Sequence, residues 1–123
     1  MRLKDKIIII SGCFDPLSND ELLFLKKCHH RGDWLIVGVH SDWWMLYAQG
    51  GFVQNYDTRR EIIKSLKYVD EVFSFNDSDG TVCQLLKLVK ICYPYTDITY
   101  ISQEDMHNMP ETKIKGITFE TMK

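Results

Sequence analysis

The pattern of apolar and polar positions begins with a strand, a helix and a second strand. Residues 7–10 are four isoleucines in a row, which predicts a strand covered on both faces. From residue 20 onward, apolar side chains recur at the spacing of a helix with one buried face, at Leu22, Leu23, Leu25 and Cys28. Residues 35–39 form the next apolar run. This pattern predicts a βαβ unit, with residues 11–17 as the loop where a ligand would sit.

Three more helices are predicted downstream. The aromatic run 43–48 predicts a short helix ended by Gly50 and Gly51. A second helix, capped by Asp57 or Thr58, is predicted to reach Lys67. A third follows a turn at 76–80, with Thr81 as its candidate cap. The inward residues of these last two helices are predicted to be Ile62, Ile63, Leu66, Val69, Val82, Leu85, Leu86 and Val89.

The strands that alternate with these helices complete the predicted fold. Residues 69–75 and 98–101 have strand patterns, and residues 116–119 are long enough for a short fifth strand. Alternating strands and helices favour a parallel sheet with helices on both faces. We therefore predict an α/β, Rossmann-like, three-layer α/β/α fold, with residues 1–123 as a single domain.

Composition narrows the classes of function. The chain is 45% hydrophobic and 26% charged, with a formal net charge of −2, so no basic field for nucleic acid is expected. Its four cysteines contain no C-x-x-C pair, and no His or Cys spacing predicts a metal site. The apolar run near the amino end is too short for a signal peptide or a membrane span. These features predict a cytoplasmic protein without membrane attachment.

Several segments resemble the cytidylyltransferase-like nucleotidyltransferases, and especially the small glycerol-3-phosphate cytidylyltransferases. The matching segments are G-C-F-D at residues 12–15, G-D-W-L-I-V-G-V at 32–39, S-D at 41–42, Tyr56, Arg59, Arg60 and Y-V-D-E-V at 68–72. The spacing between the first two has no gap, and the resemblance covers roughly residues 5–103. It implies the nucleotidyltransferase type of Rossmann-like fold with five parallel strands.

The resemblance also implies a reaction and a site. Family members join a nucleoside triphosphate, here CTP with Mg²⁺ if the protein is active, to an alcohol phosphate and release pyrophosphate. Arg59 falls where the family has a substrate-phosphate arginine; the alternative is that Arg59 and Arg60 are surface arginines in the first turn of their helix. Small relatives are commonly dimers, which implies a homodimer. The nucleotide-binding positions would be Gly12, Cys13, Phe14, Asp15, Ser18 and Glu21.

The departures from the family pattern bear directly on activity. Ser18 and Glu21 stand where the resemblance places the two catalytic histidines, and residues 46–52 contain no lysine to hold phosphate. Ser18 and Glu21 are instead the ends of an S-x-x-E sequence, which predicts a capping box at the start of a helix. A capping box forms hydrogen bonds with amides that would otherwise face a phosphate. A carboxylate at this positive helix end would repel a triphosphate.

For several other residues, the sequence is compared with both a structural and a functional role. Asp15 is expected to hold the loop in shape by accepting backbone amides, rather than to touch a ligand. His40 follows a strand and could contact a ligand base or lie behind the site. Cys13 has no neighbour in sequence that would lower its pKa, so it is not expected to be a nucleophile. Trp43, Trp44 and Tyr47 predict a lid over the core or a protein interface.

Three functional hypotheses follow. The first is a degenerate family member that binds a nucleotide or phospho-alcohol weakly, with little or no transfer and no certain cofactor. The second is an active nucleotidyltransferase with a rearranged site. The third is a non-enzymatic, dimeric interaction module that uses the aromatic segment 43–47.

Overall fold

The computed structural model describes residues 5–122 and contains one five-stranded sheet. The elements in chain order are β1 (Lys6–Gly12), α1 (Asn19–His29), β2 (Trp34–Val39), α2 (Asp42–Gln49), α3 (Tyr56–Lys64), β3 (Glu71–Phe73), α4 (Cys83–Cys92), β4 (Asp97–Ser102), a 3-10 helix (Pro110–Lys113) and β5 (Thr118–Thr121). All strand pairs are parallel, in the order β3-β2-β1-β4-β5. The predicted fold class is therefore confirmed.

The isoleucine run divides between two apolar cores, one on each face of the sheet. Ile8 and Ile10 pack with Leu25 of α1 and Ile63 of α3 on one face. On the other face, Ile7 and Ile9 pack against α4, whose inward residues are Leu85, Leu86 and Val89. Because successive strand residues point to opposite faces, a continuous apolar run is needed to fill both cores. This arrangement gives the three predicted layers.

Gly38 lets α4 lie close to the sheet. A Cβ atom at this position would lie 2.4 Å from Leu85 Cδ2, well inside van der Waals contact. Only glycine leaves room for the leucine side chain at this point of β2.

The boundaries of several elements differ from the sequence prediction. The cap of α3 is Asn55, not Asp57 or Thr58, and the helix ends at Lys64, before Lys67. The strand predicted at 69–75 contains only Glu71–Phe73. Asn55 is the cap because its side chain accepts the Thr58 amide. The strand is shorter than predicted because only three of its residues pair with β2.

Two side-chain predictions are also corrected. Leu23, expected on the buried face of α1, is 47% exposed, because the core side of that helix is filled by Leu25 and Cys28. The cap position of α4 is Val82 and not Thr81, although the Thr81 hydroxyl accepts the amide of Cys83, the first residue of the helix, at 3.2 Å. Within residues 5–122, no helix is both long and apolar enough to cross a membrane.

Candidate functional site

A cleft of about 420 Å³ opens at the carboxyl ends of β1 and β4. The chain leaves β1 toward β2 on one side, while β4 pairs with β1 on the other, so the strand order reverses at this point. Open α/β sheets bind ligands at such a reversal. The cleft is lined by Ser11, Gly12, Cys13, His40, Trp44, Gln49, Gly80, Val82, Tyr100, Ser102, Gln103, Glu104, Met106, Met109 and Glu111.

The start of α1 forms the predicted capping box. The Ser18 amide donates to Glu21 Oε1 at 2.9 Å, and the Glu21 amide donates to Ser18 Oγ at 3.1 Å. Asp20 adds a second carboxylate to the first turn of the helix. Two amides at the positive end of α1 are therefore satisfied within the chain, and negative charge already occupies that end.

The loop after β1 is shaped by a packed aromatic ring and by a carboxylate. Phe14 adopts a φ of 52° and is 4% exposed, and its ring lies against Gly12, where a Cβ atom would be 2.8 Å from Phe14 Cζ. Asp15 accepts the amides of Val53 and Gln54 at 2.8 and 2.6 Å. The prediction that Asp15 accepts backbone amides is confirmed, and this contact joins the β1–α1 loop to the segment before α3.

Arg59 lies beneath this loop and is completely buried. Its guanidinium donates to the carbonyl oxygens of Gln54, Cys13 and His40 at 2.9, 3.0 and 2.8 Å. A fourth N–H donates to Asp42 Oδ1 at 2.9 Å. Four of its five donors are thus used within the chain. The phosphate role that the family resemblance implies for Arg59 stays a prediction; in the structure the side chain lies under the loop, away from solvent.

His40 and Asp77 form a buried pair that sequence reasoning did not find. His40 Nδ1 lies 2.9 Å from Asp77 Oδ2, and Asp77 also accepts the amide and the hydroxyl of Ser41. The imidazole stacks on Trp44 with ring centroids 4.8 Å apart. Asp77 lies in the N-D-S-D-G segment, which has the composition of an ordinary turn. No signal in the sequence connected it with a histidine 37 residues away.

The pKa values of this pair are shifted in the same direction. Burial lowers the pKa of His40, although the hydrogen bond and charge of Asp77 oppose that shift; the charge of Arg59 also lowers it. Burial raises the pKa of Asp77, but hydrogen bonds from Ser41 and His40 outweigh it and lower that pKa overall. His40 is therefore neutral at neutral pH, with its proton on Nδ1 facing the Asp77 carboxylate.

This pair predicts a pH dependence of folding stability. The unfolded chain binds a proton at His40 more readily than the folded chain does. Neutral His40 therefore makes its full contribution to the free energy of unfolding above about pH 6.5, and this contribution is lost as the pH falls below that value. The slope is at most about 1.4 kcal/mol per pH unit for one proton. Urea unfolding from pH 5 to 8 should therefore show a shallower pH slope for His40→Gln than for the unmodified protein. Equal slopes in the two proteins would contradict the prediction.

Cys13 also lines the cleft, but its environment does not activate it. Burial raises the pKa of its thiol; the charge of Arg59 and a hydrogen bond with Trp44 oppose the shift without reversing it. This agrees with the sequence expectation that Cys13 is not a nucleophile. All four cysteines are free thiols. Among the described residues, no group of three His, Cys, Asp or Glu side chains could hold a metal ion.

The aromatic segment of α2 is divided between the cleft and the surface. Trp44 is half-buried and faces His40, while Met45 is the buried residue of the helix. Trp43 and Tyr47 are 48% and 77% exposed, and their rings stack with centroids 5.2 Å apart. Only Trp44 is therefore brought to the cleft, and the other two aromatic rings form an exposed pair.

Comparison with known proteins places these features in a family context. A family model described as cytidylyltransferase-like matches residues 9–118. The bifunctional protein HldE of Pseudomonas putida (strain GB-1) is 36% identical over 89 residues, which are 71% of this chain and 18% of that protein. The chain thus spans less than a fifth of the length of the curated relatives it matches.

Two solved structures share the fold. The lipopolysaccharide core biosynthesis protein from Thermoplasma volcanium GSS1 has a TM-score of 0.73 at 20% identity, covering 95% of both chains. The nicotinic acid mononucleotide adenylyltransferase of Plasmodium falciparum, complexed with APC, has a TM-score of 0.55 at 18% identity. That match covers 80% of this chain and 50% of the other. At these identities the likeness concerns the fold alone.

Proposed function

The chain belongs to the cytidylyltransferase-like family, and on that premise we propose that it keeps the family's ligand cleft but carries out little or no nucleotidyl transfer. The observation that supports this most directly is the capping box at the start of α1. Ser18 and Glu21, which stand at the positions that the resemblance assigns to two histidines, bond to each other's amides. The groups that would stabilise charge on a triphosphate are absent from those two positions.

The charge of the site supports the same conclusion. Transfer to an alcohol phosphate builds negative charge on the bridging and leaving phosphates, and active sites stabilise it with cations or pre-oriented donors. Arg59, the cation beneath the loop, has four of its donors committed to the chain itself. Loss of one stabilising donor typically costs about 10²–10³ in rate. Loss of two would cost about 10⁴ or more.

The ligand proposed for the cleft is a small molecule related to a nucleotide or a phospho-alcohol, bound weakly. The position of the cleft at the strand-order reversal supports this, as does the nucleotide-acting neighbour of the same fold. We also propose a cytoplasmic protein, in keeping with its free cysteines. CTP and Mg²⁺ would be substrate and cofactor only if the protein catalysed nucleotidyl transfer.

Pyrophosphate release from CTP and glycerol 3-phosphate with Mg²⁺ tests the proposal. We expect a rate at least about 10⁴-fold below that of an active cytidylyltransferase measured alongside as the positive control. Asp15→Ala distinguishes weak activity from contamination, because the conformation of the loop depends on the two hydrogen bonds that Asp15 accepts from backbone amides. Release that is readily measured in the unmodified protein and abolished in Asp15→Ala would show an active transferase with a rearranged site.

A second candidate function is a dimeric interaction module. The stacked, exposed Trp43 and Tyr47 favour it, because exposed aromatic residues are enriched at protein interfaces. Sedimentation equilibrium of the unmodified protein and of Trp43→Ala/Tyr47→Ala measures it. A monomer at all concentrations in the unmodified protein would exclude the homodimer.

A further inference from the structure

The cleft carries negative charge and lacks basic side chains. Its lining includes two carboxylates, Glu104 and Glu111, and no lysine or arginine from the described part of the chain. Its only histidine, His40, has a lowered pKa because it is buried, and is neutral at neutral pH. A triphosphate would enter this space against like charge. A neutral ligand, or one that offers N–H groups, would meet suitable acceptors.

Glu111 supplies the most specific acceptor. Its side chain is more than nine-tenths buried, and Oε2 accepts the Val82 amide at 3.1 Å, just before the start of α4. Oε1 is buried and has no hydrogen-bond partner among residues 5–122. A buried carboxylate oxygen without a donor is unfavourable. Because Glu111 lines the cleft, a rotation of its side chain would present Oε1 to a ligand N–H group, which would satisfy it.

The surroundings of Glu111 combine polar and apolar surface. Tyr100, whose hydroxyl lies 2.7 Å from Ser11 Oγ, has its pKa raised to about 12 by burial and by the charges of Glu111 and Glu104, so it keeps its proton. The thioethers of Met106 and Met109 also line the cleft. Methionine packs adaptably against flat rings. The lining therefore suits a planar heterocycle that has amino or ring N–H donors.

We propose that the cleft binds a nucleoside or free nucleobase through an N–H donated to Glu111, in preference to a nucleoside triphosphate. The inference rests on the proposed function, since it names the ligand class of the same cleft. The volume of about 420 Å³ falls within the range of small-molecule sites. A ligand without phosphates also needs none of the charge-stabilising groups that the start of α1 lacks.

Glu111→Gln separates ligand binding from the structural role of this side chain. The amide oxygen of glutamine can still accept the Val82 amide, while its NH₂ group takes the place of Oε1 and removes the acceptor that the ligand would use. Glu61→Gln is the matched control, because it makes the same chemical change at an exposed position of α3 that does not line the cleft. Thermal unfolding of both variants checks that the fold is retained.

Isothermal titration with cytidine, adenosine, CTP and ATP tests the proposal. We expect a nucleoside to bind at least about tenfold more tightly than its triphosphate. Glu111→Gln should weaken nucleoside binding about tenfold or more, and Glu61→Gln should change it less than about threefold. Equal or tighter binding of the triphosphate would overturn the inference and leave the proposed function standing. Binding of none of the four would also overturn the inference, whereas the pyrophosphate assay decides the proposed function separately. The comparison in the unmodified protein decides the question even if Glu111→Gln fails to fold.

Discussion

Arg59→Ala is expected to lower the free energy of unfolding by about 3 kcal/mol or more. The substitution leaves the carbonyl oxygens of Cys13, His40 and Gln54 without their donor, and each buried unsatisfied group costs about 1–3 kcal/mol. The pair with Asp42 adds little, because the Asp42 side chain is 36% exposed. Urea unfolding of the purified variant, monitored by tryptophan fluorescence, measures the loss.

Arg60→Ala is the matched control for that experiment. The neighbouring arginine is only partly buried and contacts Glu61 on the surface of α3, so its loss should change stability by less than about 0.5 kcal/mol. Arg59→Lys should lie between the two, because an ammonium cannot supply donors in all four directions. An Arg59→Ala protein that is as stable as the unmodified one but binds ligand poorly would favour the phosphate role that the family resemblance implies.

The double substitution Ser18→His/Glu21→His is expected to raise CTP affinity about tenfold, with a smaller gain in turnover. It removes a carboxylate, releases the two amides of the capping box and adds two imidazoles at the positive end of α1. Turnover gains less because the buried Arg59 and the carboxylates of the cleft remain. Titration with CTP at pH 6 and pH 8 measures the affinity, which should be higher at pH 6, where imidazoles are more protonated.

Ser18→Ala/Glu21→Gln separates loss of the cap from gain of positive charge. Both double variants lose the Ser18 hydroxyl that accepts the residue-21 amide, at a cost of about 0.5–2 kcal/mol in stability. Only the histidine variant should gain the pH-dependent part of the affinity. If neither variant binds CTP more tightly than the unmodified protein, the geometry of the loop, rather than its charge, excludes the triphosphate.

Local pattern was sufficient to predict the fold. The isoleucine run of β1 predicted a strand buried on both faces, and the structure divides those side chains between two cores. The S-x-x-E sequence predicted the capping box, since both partners lie within one helical turn. Where several caps were possible, as at the start of α3, the prediction was wrong, because Asn55, Asp57 and Thr58 are all chemically suitable and only the backbone path selects among them.

The sequence alone determined the parallel α/β frame, the position of the loop after β1 and the acidic cap at the start of α1. Each of these depends on residues that are neighbours along the chain or on the periodicity of one element. The tertiary structure decided the contents of the cleft. It brought His40 to Asp77 across 37 positions, placed Arg59 beneath Cys13 across 46, and set Glu111 against Val82 across 29. Such contacts depend on how strands and helices pack, and no periodicity encodes them. The two replaced histidines, the missing lysine and the capping box argue against transfer in the sequence itself, but the negative charge of the cleft became evident only in the folded chain.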